Sequence, residues 1–137
     1  DEFAKDVGDE DHNLGSDTLK LGIVDNTVTP TVGDATPAWG DYSANEVATT
    51  GGYPAGGISL TSVQWTEVGG VATLDAANIS ILQNGSGFTN GYWGILYNDT
   101  VVGDIAIAFI DLGGPVSEQA GPIDINWNVS GILTITA

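Results

Sequence analysis

From residue 18 onward, apolar and polar positions alternate in short runs. Leu19, Leu21 and Ile23 alternate with Lys20, Gly22 and Val24, the period-2 pattern of a strand. Ile58 and Leu60 share one parity, whereas Val63 and Trp65 share the other, which predicts a bulge or bend between the pairs. Val68-Gly69-Gly70-Val71 predicts a hairpin turn. Val71 to Leu74, Asn78 to Leu82 and the aromatic run Tyr92 to Tyr97 follow as strands, with turns at Asn84-Gly85-Ser86-Gly87 and Asn98-Asp99. Ile105, Ile107 and Phe109 face one way, and the small Ala106 and Ala108 the other. Ile123, Ile125, Trp127 and Val129 alternate with polar residues up to Ser130-Gly131, and Leu133 and Ile135 complete an expected hairpin. Strands recurring at intervals of roughly ten residues predict a mainly β protein, an antiparallel β-sandwich or barrel-like domain.

Two stretches break this rhythm. The first seventeen residues read as an N-terminal acidic arm or short helix, with residues 18–137 as a single β domain. Phe3 and Val7 are spaced i, i+4, so residues 2–12 predict a short amphipathic helix. Gly8 and the acids near its C-terminal end oppose that helix, so it needs a partner surface. Residues 26–57 read as a long loop with a short helical turn near 43–48. Long loops in compact domains are often functional. Trp39 lies in this loop beside Tyr42 and ahead of Tyr53. An exposed Trp there would anchor a partner protein or a sugar ring; the alternative is a plug at one end of the sandwich.

Charge narrows the functions. The chain has 18 Asp and Glu against two Lys and no Arg, a formal charge of -16. Nucleic-acid binding relies on clustered Lys and Arg, and attraction to anionic membranes needs the same residues. Neither is expected here. Six acids crowd the first eleven positions: Asp1, Glu2, Asp6, Asp9, Glu10 and Asp11. With no Cys, the chain has no disulfide, thiolate metal site or Cys nucleophile. No apolar run approaches the ~20 residues needed to span a bilayer as a helix.

Motif chemistry is sparse. Asp9, Asp11 and Asn13 match the first ligands of an EF-hand loop, but Leu14 stands where Gly is required and Lys20 where the bidentate Glu is required. Looser cation binding by Asp6, Asp9 and Asp11 stays open. His12, the one imidazole, reads as exposed and without a role. No carboxylate pair is singled out by spacing, and the Gly85-Ser86-Gly87 run lacks the Gly-Lys-Ser/Thr of a phosphate loop. Asn78, Asn84, Asn98 and Asn128 begin Asn-x-Ser/Thr sequons, a pattern common by chance in such a composition. No cofactor is expected.

Three segments carry a family likeness. His12-Asn13-Leu14-Gly15-Ser16-Asp17-Thr18-Leu19-Lys20-Leu21 follows the Phe-containing N-terminal stretch. Gly51-Gly52-Tyr53-Pro54-Ala55-Gly56-Gly57-Ile58-Ser59-Leu60 comes next. Gly94-Ile95-Leu96-Tyr97-Asn98-Asp99-Thr100 then precedes a strand ending in Asp111-Leu112-Gly113. In this order they resemble the capsid decoration, or cement, proteins of tailed bacteriophages, over roughly residues 3–135. The chain departs from that pattern in having so few basic residues. The resemblance implies a mainly β protein on the outer capsid surface of the virion, with no active site, that clamps neighbouring capsomers. It implies the major capsid protein as partner and a homotrimer at threefold positions. It makes the N-terminal stretch and the 26–57 loop contact candidates, hence Phe3, Val7, Trp39, Tyr42 and Tyr53. So acidic a clamp would need salt, divalent cations or positive capsid surface to stay in place. The rivals are a tail or fibre subunit, and a carbohydrate-binding β-sandwich using Trp39, Tyr42 and Tyr53 as a stacking platform.

Overall fold

A computed structural model of the chain describes residues 3, 6, 7, 9 and 11–136. The protein is mainly β, built from antiparallel sheets in a sandwich-like arrangement with no closed barrel. Among the described residues, nine strands run in chain order: β1 (Leu19–Val24), β2 (Ile58–Ser59), β3 (Gln64–Val68), β4 (Val71–Asp75), β5 (Ile79–Ile81), β6 (Gly91–Asn98), β7 (Ala106–Val116), β8 (Ile123–Ile125) and β9 (Leu133–Thr136). They form a four-stranded sheet in the order β2-β1-β6-β7, a three-stranded sheet β3-β4-β9 and a two-stranded sheet β5-β8. At the N-terminus, Phe3, Asp6 and Val7 are helical, and the rest of the expected 2–12 helix up to Glu10 falls largely outside the described residues.

The four-stranded sheet is buried on both faces at its centre. Leu19, Leu21 and Ile23 of β1 and Leu96 of β6 pack with Leu74, Ile79, Ile81 and Ile123 from the two smaller sheets. On the opposite face Val24, Ile95 and Tyr97 pack with Trp39, Tyr42 and Ala106. The 26–57 loop therefore folds over this second face as a cover. Two single-turn 3-10 helices, Trp39–Asp41 and Ser43–Asn45, supply part of it. The predicted helical turn near 43–48 thus falls at 43–45.

Two sequence expectations resolve into sheet switches. The parity change between Leu60 and Val63 is where the chain leaves β2 of the four-stranded sheet for β3 of the three-stranded one, through Ser62 at φ 53°. The expected 123–135 hairpin does not form. β8 pairs with β5 (Ile81↔Ile123), and β9 pairs with β4 (Leu74↔Leu133). Alternation marks both strands correctly but stops at Trp127; Val129 is fully exposed, and the chain crosses between sheets at Gly131. The Val68–Val71 hairpin is present, with Gly69 and Gly70 both at positive φ, as a two-residue turn of matching twist requires.

Candidate functional site

The three aromatic contact candidates of the loop are core residues. Trp39, Tyr42 and Tyr53 are all buried. Trp39 stacks on Tyr97 with centroids 5.1 Å apart and planes within 3°, above the bare backbone of Gly22. Tyr53 accepts a hydrogen bond from the Ile23 backbone N–H at 2.7 Å and donates to Glu46 at 2.9 Å. Burial pushes its phenol far above the usual range. Glu46 also accepts from the Gly56 N–H, and the Tyr97 hydroxyl donates to the Gly56 carbonyl. These bonds fasten the loop to the sheet. The sugar-stacking platform and the exposed Trp anchor are therefore corrected: Trp39 and Tyr42 cover one apolar face of the sheet, and Tyr53 enters the opposite core, edge-on to Phe88.

The N-terminal candidates also face the protein. Phe3 is half-buried and stacks on His12, with centroids 5.5 Å apart. Val7, also half-buried, lines a hollow with His12, Leu14 and Trp65. His12 overturns its expected exposure: it is buried because Phe3 covers its ring and Asn98 meets its edge. Asn98 Oδ1 accepts from the Thr100 N–H, which turns its Nδ2 towards His12 Nδ1 at 3.1 Å and Asp17 Oδ2 at 2.7 Å. The imidazole thus accepts at Nδ1 and is neutral. Burial lowers its pKa from the ordinary 6.5, against the opposing pull of Asp6, Asp17 and Asp11.

A His held below its unfolded pKa contributes fully above that value and loses the contribution as pH falls through it. Amide-exchange protection of residues 11–14, and with it the docking of the N-terminal segment, is expected to decline as pH drops below 6.5. His12→Gln should flatten that profile, and an unchanged profile in this variant would assign the effect to the carboxylates.

Glu118 is a buried acid that no sequence pattern announced. It is 0% exposed, and its side chain accepts from the Gly52 N–H while its backbone carbonyl accepts from Asn84. Gly51 and Gly87 pack directly on it, with no room for a Cβ. It pins two glycine turns at one end of the molecule, an arrangement that spacing along the chain cannot reveal.

A markedly apolar hollow at the surface lies where three segments meet. It measures about 330 Å3. Phe3 contributes from the N-terminus, Thr31, Val32, Asp34 and Pro37 from the loop, and Ala106, Ile107, Ala108 and Phe109 from β7. Val32 is 82% exposed although it sits on this wall. Phe109 is partly exposed and held edge-on against Trp93 at 6.0 Å. The lining offers one carboxylate and one hydroxyl, with no imidazole. Such a surface binds apolar side chains and orients them with a few polar contacts. Among the described residues, no three His, Asp or Glu side chains converge to hold a metal ion, and no helix is long and apolar enough to cross a membrane.

Of the contact candidates that the resemblance implies, Phe3 lines this groove, whereas Trp39, Tyr42 and Tyr53 are buried in the core. Val32 and Pro37 lie in a Thr- and Pro-rich stretch where no periodicity marks a contact. No known family model matches the chain, and neither a curated protein nor a solved structure matches it.

Proposed function

We propose that this chain is a noncatalytic virion structural protein, a capsid decoration protein that binds the outer surface of a phage capsid and clamps neighbouring capsomers. The observation that carries the reading is the convergence of the N-terminal segment, the 26–57 loop and β7 on one exposed apolar groove. The first two are the segments that the resemblance marks for shell contact. The groove has the chemistry of a binding surface, and the protein's charge of -16 directs it to protein partners with positive surface rather than to nucleic acid. The partner is the major capsid protein, and the working unit is a homotrimer, a form that suits threefold positions on a closed shell.

The test begins with the gene neighbourhood, where an adjacent major capsid gene is expected. Heads assembled from that capsid protein should then co-sediment with this chain to saturation. Val32→Asn should weaken binding roughly tenfold, the effect of losing about 1.4 kcal/mol of apolar contact. Its unfolding temperature should not change, since Val32 is 82% exposed. Heads that remain bare with the unmodified chain would refute the reading, and labelling of tails or fibres instead of heads would reassign it to another virion part.

A further inference from the structure

We propose that the outer edge of β7 is a strand-pairing site that takes an extended segment of a partner, basic and apolar residues alternating, as the next strand of the four-stranded sheet. The proposal rests on the preceding reading for the identity of the partner, and on the geometry of β7 for the mode of binding.

β7 is the longest strand, 11 residues, and it ends its sheet. Its inner side pairs with β6 from Tyr97↔Ala106 to Gly91↔Val116. Its outer side is tied at the start: the Trp39 N–H donates to the Asp104 carbonyl, and the Ala106 N–H donates to the Pro37 carbonyl, both at 2.9 Å. Beyond Ala106, no described strand pairs with that side.

The other edge of the sheet is managed differently. β2 covers β1 for two residues, and the loop closes the remainder. The Asp25 N–H donates to the Asn45 carbonyl and the Val47 N–H to the Ile23 carbonyl, both at 3.0 Å, while the Ile23 N–H goes to the Tyr53 hydroxyl. A free edge is normally blunted by charge, proline, a bulge or a cover. On β7 a register shift lies beside Ile107, and Gly113, Gly114 and Pro115 break the far end. Between them, residues 108–112 stay open with a single charge, Asp111.

This open run begins in the groove. Ala108 and Phe109 line it opposite Val32 and Pro37, so a strand laid on β7 places an alternate side chain into an apolar recess. Backbone pairing plus side-chain pockets is how extended peptides add to sheet edges. Charge selects the occupant. Asp34 stands on the groove wall, Asp104 precedes the open run and Asp111 lies within it. The one described Lys, Lys20, is held by Asp99 at 2.9 Å. A second copy would bring the same acidic edge and a further charge of -16, whereas a segment bearing Lys or Arg complements it.

The probe is a capped hexapeptide of alternating Lys and Val, titrated into the full chain and followed by amide NMR and hydrogen exchange. Shifts and new protection are expected along residues 107–112 and at Val32. N-methylation of alternate backbone nitrogens keeps every charge but blocks pairing, and should weaken binding at least tenfold. Val32→Asn should weaken it with the fold intact. Equal affinity of the methylated peptide, or shifts centred elsewhere, would overturn the proposal. So would protection of residues 108–112 without peptide in a sedimenting oligomer, since a second copy would then cover the edge. Peptide pairing on β7 by a chain that ignores heads would leave this inference standing and remove the decoration reading. Binding to heads that the peptide fails to displace would do the reverse.

Discussion

Replacing Trp39 by Ala is expected to cost the protein about 3–5 kcal/mol, the range for deleting a large buried aromatic side chain. Trp39 is 7% exposed, lies flat on Tyr97 and fills the space above Gly22. Removing it leaves a cavity between the loop and the sheet that the stiff neighbours cannot close. At about 4 °C per kcal/mol for a chain of this size, thermal unfolding should shift down by roughly 12–20 °C. The exposed-anchor reading of Trp39 expects little loss of stability instead. Calorimetry separates the two, and an unchanged unfolding temperature would mean that Trp39 is not the plug the structure makes it. Partner binding by the variant is informative only below its new transition, because the groove residues Val32 and Pro37 belong to the same loop.

Gly57→Ala should be comparably damaging for a different reason. Gly57 sits at φ +88°, where an L side chain is strained, and a Cβ there would lie 2.4 Å from the Leu21 carbonyl oxygen. The strain costs about 1–3 kcal/mol. Overpacking against backbone, which has no rotamer to yield, adds about 1–3 kcal/mol more. Gly33 of the same loop, with open space around it and no positive φ, is the control: Gly33→Ala should leave denaturant unfolding almost unchanged. A Gly57→Ala protein as stable as this control would show that the 56–58 segment can lift away from β1.

Both predictions concern the cover over the second sheet face, where sequence and structure parted most. Alternation identified β1 and the start of β7, and short apolar or aromatic runs between turns marked β4 and β6, because side-chain period and turn residues are local signals. Alternation also marked β8 and β9. It paired those two with each other, whereas the structure sends them to different partners across the sandwich, since strand pairing depends on which apolar faces close on one another. The aromatic residues of the 26–57 loop were visible as unusual, but their direction was not: a Trp in a loop reads alike whether it points to solvent or to a sheet. His12 was misread for a related reason. Its neighbours in sequence are acids, while its neighbours in space are Phe3 and Asn98. Val32 carried no signal, because it lines a groove only where the loop folds beside β7.

By itself the sequence determined the β class, most strand positions, the glycine turn at 69–70 and the net charge of -16. Those properties are local or additive: side-chain period, turn geometry and summed charge need no knowledge of distant residues. The tertiary structure alone decided which strands pair, that the loop seals one sheet face with Trp39 and Tyr42 while Tyr53 enters the opposite core, and that no described strand pairs with the outer edge of β7 beyond Ala106. These depend on contacts between residues far apart in the chain, where burial of apolar area, not position in sequence, chooses the neighbours.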